Sequence, residues 1–339
     1  MHPTARERTF NLLTVTKDIY PKNQKINDKG ELEIEWSEGN HISCYDVDWL
    51  RHNCYTLKNK KKYISPYLLW DQSMESKFED IQIEYEEIIS GDDGIKKWLE
   101  QLHYKGISIV KNAPTEKGSG FDILANISHH RETFFKTPFE VIDIPNPNNS
   151  AYTAAALRNH LDLPYYEIAP GYQFLHCLIN NATGGESVAV DGFRVASYMR
   201  KNFPDYFKTL LETPVKFVNQ DYTSNAIRVM HKPIFSLDHN NDFNDIRFSV
   251  AYMGVMDCDP DQMDKFYEAY RKLIALLHDP KFEINFKLKA GDIFSFNNRR
   301  VLHGRKEYDA NSGERHLQGY YIDRDEIIGR LNFLNKINP

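Results

Sequence analysis

The chain has 339 residues and a formal net charge of −6 at pH 7, from 42 Lys and Arg residues against 48 Asp and Glu residues. A chain of this length can bury a sizeable core, and its mildly acidic balance argues against the basic surface of a nucleic-acid-binding protein. No apolar run is long enough to span a bilayer, and the N-terminus has no apolar signal-peptide segment. Nucleic acid and membranes are therefore not expected as partners.

The four cysteines are Cys44, Cys54, Cys177 and Cys258, and no pair of them has CxxC spacing. This pattern favours free thiols in a reducing compartment over a disulfide framework. We therefore predict a cytoplasmic protein.

The first predicted element is the strand 31–36, whose polar and apolar residues alternate as in a half-buried strand. We assign residues 1–85 to a small β-rich N-terminal domain and residues 86–339 to a larger domain. The larger domain begins with a predicted helix at 92–104 and a core strand at 107–110.

Three further helices are predicted in the larger domain, at 121–135, at 194–212 with an interruption at Pro204, and from Pro260 onward. Short strand-like segments surround them. These segments cover residues 173–178, 215–218, 247–252, 282–288, 293–296 and 317–322. Many short strands with helical insertions indicate a mostly β fold with helices, built on a double-sheet jelly roll.

The most specific feature is the run His160-Leu-Asp162, followed 141 positions later by His303. Two imidazoles and one carboxylate are the ligand set of non-haem iron(II) oxygenases. Residues two apart on a strand point to the same side, so His160 and Asp162 can hold one ion together. An H-x-D triplet alone is weak evidence, since most such triplets are surface or capping residues.

The residues around the second histidine strengthen this interpretation. Arg315 lies twelve residues beyond His303, and Ser187 ends a Gly-Gly-Glu-Ser run. If 2-oxoglutarate chelates the iron, its far carboxylate needs a cation, and a guanidinium offers a planar two-pronged partner. Arg315 is the candidate anchor, with Ser187 as a second hydrogen-bonding group and Arg305 as a weaker alternative. Leu175 is expected to line the same pocket.

The motif order resembles a known family. H-x-D, G-G-E-S, N-x-R-x-L-H-G-R and a later arginine are similar to the taurine dioxygenase superfamily, and most similar to its γ-butyrobetaine and trimethyllysine hydroxylase branch. The segments 49–54, 152–154, 170–177 and 191–193 carry the same resemblance. It implies a double-stranded β-helix that uses Fe(II), 2-oxoglutarate and O2. Family members are often dimers, so a homodimer is expected.

The resemblance also implies an aromatic cage for a trimethylammonium group, because ring faces bind a cation that donates no hydrogen bonds. The residues implied at the substrate site are Tyr152, Tyr321, Phe135, Phe139 and Asn149. A second substrate-binding asparagine of the family is replaced here by Ser249 or Val250. The family also carries an N-terminal zinc site. Only Cys54 remains of its cysteine cluster, so we predict no zinc.

The sequence thus predicts an enzyme that hydroxylates an unactivated C–H bond of a small trimethylammonium or amino-acid-like substrate, yielding succinate and CO2. Two alternatives stay open. The same oxidant could perform desaturation or oxidise an unrelated small metabolite. A non-catalytic binding protein on this scaffold is disfavoured, because a decayed site would have lost at least one ligand.

Overall fold

The computed structural model describes residues 4–5, 7–53, 65–143, 153–222 and 224–335. Internal contacts divide the chain into two units, Met1–Ile64 and Ser65–Pro339. The sequence analysis assigned residues 65–85 to the N-terminal domain. Here they belong to the larger unit, where Trp70 and Ile81 join one of its buried core clusters.

The first unit contains a three-stranded antiparallel sheet in the order β1-β2-β3. Its strands are β1 (Pro21–Ile26), β2 (Leu32–Trp36) and β3 (Ile42–Tyr45), with a 3-10 turn at Leu12–Thr14 before them and α1 (Val47–His52) after them. The predicted strand at 31–36 is confirmed as β2. Cys54 lies outside the described residues, so the absence of zinc stays a prediction.

The second unit is a mixture of strands and helices, as predicted. Its strands are β4 (Gln82–Glu84), β5 (Ile107–Lys111), β6 (Phe139–Val141), β7 (Leu157–His160), β8 (Tyr172–Asn180), β9 (Thr183–Gly184), β10 (Ser187–Asp191), β11 (Val215–Asp221), β12 (Ala226–Lys232), β13 (Phe235–Leu237), β14 (Phe243–Ile246), β15 (Glu283–Phe286), β16 (Ile293–Asn297), β17 (Val301–Arg305), β18 (Tyr308–Asp309) and β19 (Arg315–Ile322). Its helices are α2 (Tyr85–Ile89), α3 (Asp92–Glu100), α4 (Gly120–Leu124), α5 (Gly192–Asn202), α6 (Pro204–Glu212), α7 (Pro260–Leu277) and α8 (Arg324–Leu334), with a 3-10 segment at Gln72–Ile81 and a π turn at Gln101–Lys105.

Two sheets form the centre of this unit. The larger has six strands in the order β4-β5-β16-β8-β19-β6, and the smaller has four in the order β15-β10-β17-β7. Phe294 and Phe296 of the larger sheet and Ala189 and Val301 of the smaller sheet belong to one buried cluster. The two sheets therefore face each other across a common core.

Helices cover the outer faces of both sheets. Trp98 on α3 and Ile327 on α8 share a buried cluster with Phe174 of the larger sheet. Residues of α5, α6 and α7 form another cluster with Leu302 of the smaller sheet. The helices α3, α5, α6 and α7 bury an apolar stripe against the sheets, which is why their periodicity could be recognised in the sequence, whereas α8 was not predicted.

The helices predicted at 92–104, at 194–212 and from Pro260 are confirmed. Asp259 caps α7 by accepting a hydrogen bond from the Asp261 N–H, and Pro260 takes the first helical position. The break predicted at Pro204 separates α5 from α6. Every described helix is too short or too polar to cross a membrane.

The helix predicted at 121–135 is wrong beyond Leu124, where α4 ends. The Arg131 N–H donates to the Tyr321 carbonyl at 2.7 Å, and its guanidinium binds Asp323 at 2.6 Å and the Ile168 carbonyl at 2.7 Å. These long-range bonds replace the helical ladder. The segment therefore lies along the edge of the larger sheet.

The strand predicted at 247–252 is also wrong, because β14 ends at Ile246. The Phe248 carbonyl accepts a hydrogen bond from the Leu161 N–H at 2.9 Å, and the Arg247 guanidinium reaches backbone carbonyls of another loop. The apolar residues of this segment line a cavity and a core cluster without joining a ladder.

Candidate active site

Three side chains meet where the two central sheets open. His160 is the last residue of β7, and strand pairing places it opposite His303 of β17. Asp162 follows two residues later, just beyond the strand. The ligand atoms of the three side chains all lie within 4.8 Å of one another. An Asp162 Oδ1 oxygen is 3.2 Å from His160 Nε2 and 4.0 Å from His303 Nε2.

Hydrogen bonds fix the orientation of these side chains. The Tyr321 hydroxyl donates to Asp162 Oδ2 at 2.6 Å, and His160 Nδ1 lies 2.8 Å from the Arg158 carbonyl. This contact favours the tautomer with its hydrogen on Nδ1, so that Nε2 presents a lone pair to the centre of the group. Asn298 binds the Asp162 backbone twice, accepting from its N–H at 2.9 Å and donating to its carbonyl at 3.1 Å.

Electrostatics favours a neutral imidazole at His303 and a carboxylate at Asp162. Burial lowers the pKa of His303 to about 3, and the neighbouring His160 acts in the same direction. Burial alone would raise the pKa of Asp162, but its hydrogen bonds and the adjacent imidazoles hold that pKa well below its usual range. Burial alone would lower the pKa of His160, but the hydrogen bond and charge of Asp162 raise it. A divalent cation suits this donor set.

A buried cation lies further inside the fold. Arg315 opens β19 and is buried, and none of the described residues forms a hydrogen bond or an ion pair with its guanidinium. Its carbon Cζ lies 5.7 Å from the ring of Tyr308. Burial lowers the pKa of Arg315 to about 10, and Arg305 contributes to that shift. A buried guanidinium without a counter-charge is suited to an anionic ligand.

Arg305 differs from Arg315 in its contacts. Its guanidinium donates to the Thr153 carbonyl at 2.6 Å and to the Ala155 carbonyl at 2.7 Å. These bonds hold the chain that leads into β7. Arg315 is therefore the arginine of this pair that can offer both prongs to a ligand.

The other two residues predicted for the cosubstrate pocket lie on one strand of each central sheet. Ser187 begins β10 and pairs with Arg305 of β17. Leu175 lies on β8 opposite Gly319 of β19, and it packs against the core between the sheets. Both positions therefore belong to the interior of the two-sheet unit.

A cavity of about 360 Å³ opens beside His160 and Asp162. Phe135, Phe139 and Tyr321 form one of its walls. The ring centroids of Phe139 and Tyr321 are 5.0 Å apart, and those of Phe135 and Phe139 are 6.3 Å apart. Three of the five residues predicted to bind substrate therefore line the same cavity.

The other two predicted substrate residues, Asn149 and Tyr152, lie outside the described residues. Ser249 and Val250, one of which is expected where the resembled family has a second asparagine, both line the cavity. Either a hydroxyl or an apolar side chain would then replace that amide.

Comparison with known proteins identifies the family. Residues 70–321 match the family model described as "Taurine catabolism dioxygenase TauD, TfdA family". The chain belongs to this family. It is 35% identical to the γ-butyrobetaine dioxygenase of Pseudomonas sp. (strain AK-1), over 99% of this chain and 87% of that protein. It is 30% identical to the mitochondrial trimethyllysine dioxygenase of Mus musculus, over 97% of this chain and 78% of that protein.

A solved structure shares the fold of this TauD/TfdA protein. It is asparagine oxygenase in complex with Fe(II), 3-hydroxyasparagine and succinate, with a TM-score of 0.53 and 13% identity over 72% of this chain and 93% of that one. The family match and the named relatives confirm the enzyme class expected from the sequence, a 2-oxoglutarate-dependent non-haem iron dioxygenase.

Sequence reasoning missed part of the cavity wall of this TauD/TfdA protein. Tyr165 and Tyr252 both line the cavity, and their ring centroids are 4.8 Å apart. Tyr165 lies three residues after Asp162, so its position in the sequence could have suggested a role. Tyr252 lies in the segment misread as a strand, and nothing in the sequence linked it to the site.

Proposed function

We propose that this protein hydroxylates an unactivated C–H bond of a small substrate that carries a trimethylammonium group. One observation carries the proposal. His160 and Asp162 of the group that could hold a metal line a cavity that aromatic rings also line. Such a cavity can hold a quaternary cation against ring faces while its neighbouring carbon lies beside the metal-binding group.

His160, Asp162 and His303 would hold the iron. Their Nε2 and carboxylate atoms converge, and Tyr321 and Asn298 keep Asp162 in place. When bound, Fe(II) and 2-oxoglutarate supply the oxidant from O2, and 2-oxoglutarate leaves as succinate and CO2. The protein's own contribution is to orient the substrate and to hold the three ligands in the required protonation state.

Arg315 would bind the far carboxylate of 2-oxoglutarate. It is a buried guanidinium that no described carboxylate neutralises. Ser187 would add a hydroxyl donor, and Leu175 would form the apolar side of that pocket.

The substrate class rests on the aromatic wall and on the named activities of the relatives. Phe135, Phe139 and Tyr321 would form the cage, with Tyr152 and Asn149 contributing from outside the described residues. γ-Butyrobetaine and trimethyllysine are the substrates named for two relatives of this chain, and both contain a trimethylammonium group.

Several expectations about the whole protein belong to the same proposal. The two facing sheets would form the double-stranded β-helix, preceded by a small β-rich domain without zinc. The enzyme would act as a cytoplasmic homodimer on a small molecule, without nucleic acid or membrane partners.

The test is succinate formation by the iron-loaded protein with 2-oxoglutarate and O2. The panel contains γ-butyrobetaine, trimethyllysine, shorter betaines, choline-like phosphonates and free amino acids. We expect a trimethylammonium compound to stimulate succinate formation, and mass spectrometry of the product to show a gain of one oxygen atom. Loss of two hydrogen atoms would instead identify desaturation.

An Asp162→Ala variant serves as the inactive control, with folding verified by circular dichroism. Stimulation that survives in this variant would contradict the assigned metal site. Binding of iron and 2-oxoglutarate without stimulation by any trimethylammonium compound would overturn the proposed substrate class and leave the enzyme class intact.

A further inference from the structure

The cavity beside the metal-binding group has two chemically different sides. Phe139 of β6 and Tyr321 of β19, which are on paired strands of the larger sheet, contribute aromatic rings. Arg158 of β7, the edge strand of the smaller sheet, also lines the cavity and is a cationic residue. Among the described residues that line the cavity, Arg158 is the single lysine or arginine.

The Arg158 side chain is exposed and available. No described residue forms a hydrogen bond or ion pair with its guanidinium, whereas its backbone carbonyl is held by His160 Nδ1 at 2.8 Å. Arg158 and His160 are two apart on one strand, so their side chains project to the same side, with a backbone separation of roughly 7 Å. Arg158 therefore lies on the same side of β7 as His160, one strand repeat away from the metal-binding group.

Lys216 is a second cationic residue nearby, but it does not line the cavity beside the metal-binding group. Lys216 of β11 lines a separate cavity of about 790 Å³ that shares Phe135, Ala251 and Tyr252 with the first. His160, Asp162 and His303 do not line that second cavity. A group bound at Lys216 would therefore lie behind the Phe135 and Tyr252 wall, away from the metal-binding group.

We propose that Arg158 binds a carboxylate of the substrate, so that the preferred substrate is a zwitterion with its ammonium group at the aromatic wall and its carboxylate at Arg158. The carbon chain between the two charges then passes the His160, Asp162 and His303 group. A guanidinium binds a carboxylate with two parallel hydrogen bonds, which fixes both the position and the direction of the chain. This assignment rests on the proposed function, since it requires an ammonium-binding site.

The assignment also explains how the site could bind a carboxylate although Ser249 or Val250 is expected in place of the family's second asparagine. Ser249 and Val250 line the same cavity and offer one hydroxyl between them. An amide at one of these positions could hold a carboxylate, but a valine cannot. Arg158, which lines the same cavity, would supply a full charge in its place.

The test compares γ-butyrobetaine with its primary amide, which has the same length and the same ammonium group but no negative charge. Steady-state succinate formation is measured for wild type, Arg158→Gln, Arg158→Lys and Arg271→Gln. Arg271 is an exposed arginine of α7 that does not line the cavity, so its variant is matched in charge. We expect wild type to prefer the carboxylate by about tenfold in kcat/KM.

In Arg158→Gln this preference falls to about one, through a higher KM for γ-butyrobetaine, while the kinetics of the amide stay unchanged. Arg158→Lys keeps part of the preference, and Arg271→Gln keeps all of it. An equal loss for both compounds in Arg158→Gln would show a structural role and overturn the inference. Equal use of both compounds by wild type would overturn it as well. Turnover of neither compound would overturn this inference, whereas the full panel of trimethylammonium compounds tests the proposed function separately.

Discussion

The metal-binding side and the substrate side of the cavity are built in different ways. His303, Ser187, Arg315 and Leu175 all lie within paired strands, where the hydrogen-bond ladders fix each position. Most of the aromatic wall comes from segments outside these ladders. Phe135, Tyr165 and Tyr252 each lie in an irregular stretch of chain.

The residues expected to carry out the reaction are therefore held by paired strands, whereas most aromatic residues expected to select the substrate are held by irregular segments. A ladder sets the position of a side chain through many backbone bonds, so a substitution elsewhere in the strand leaves it in place. The irregular stretches depend on single side chains such as Arg131 and Arg247, which bond to backbone carbonyls. A change in one such contact can reshape the wall without disturbing the metal-binding group.

The largest effect is expected from His303→Ala, a substitution in the metal-binding group that is held by paired strands. Removing one of three converging ligands leaves two, and we expect iron to be lost together with detectable succinate formation. Iron content by elemental analysis and succinate assays measure both effects. His231→Ala, at an exposed histidine of β12, is the matched control and should keep full iron. Iron retained at wild-type affinity in His303→Ala would contradict the assignment.

Arg315→Gln tests the buried residue of β19 that is proposed to bind 2-oxoglutarate. The variant loses the buried charge for the cosubstrate carboxylate, and we expect KM for 2-oxoglutarate to rise about 100-fold. Iron content stays unchanged, because Arg315 is not part of the metal-binding group. The measurement is succinate formation against 2-oxoglutarate concentration, with Arg271→Gln as the control. An unchanged KM would assign the anchor to another cation.

Tyr321→Phe tests a residue that belongs to both the substrate cavity and the metal-binding group. The Tyr321 ring lines the cavity, and its hydroxyl donates a hydrogen bond to Asp162. Loss of this bond to a metal ligand costs about 10-fold in iron affinity. Tyr320→Phe is the matched control. Tyr320 lies on the outer face of the same strand, and its hydroxyl donates to Gln318 at 3.2 Å. Equal iron affinities in the two variants, measured by titration, would show that the Asp162 contact has no effect.

The smallest effect is expected from Phe135→Leu on the irregular side. This change removes a ring face but keeps an apolar surface, so KM for a trimethylammonium substrate rises about 2- to 5-fold. The neutral carbon isostere of the same substrate, with a tert-butyl group, provides the control. An equal change in binding of the isostere, measured by competition, would indicate lost packing in place of a lost cation–π contact.

Much of the fold was readable from local patterns. Strand 31–36 alternated, and α3, α5, α6 and α7 carried apolar stripes, caps or prolines that mark their bounds. The two errors, at 121–135 and 247–252, concern segments rich in apolar residues. Their apolar side chains line a cavity or a core, and their backbone groups bind distant partners through Arg131 and Phe248. Periodicity cannot detect such long-range bonds.

The sequence by itself predicted the reaction class, because the residue types at 160, 162, 303 and 315 suit a metal and an anionic cosubstrate and their order resembles that of the TauD/TfdA family. Only the tertiary structure shows which residues surround these four positions. It placed His303 beside His160 through strand register, left Arg315 buried with no counter-charge among the described residues, and brought Tyr165, Tyr252 and Arg158 around one cavity. A cavity wall is made of residues distant in sequence, and only folding brings them within contact distance.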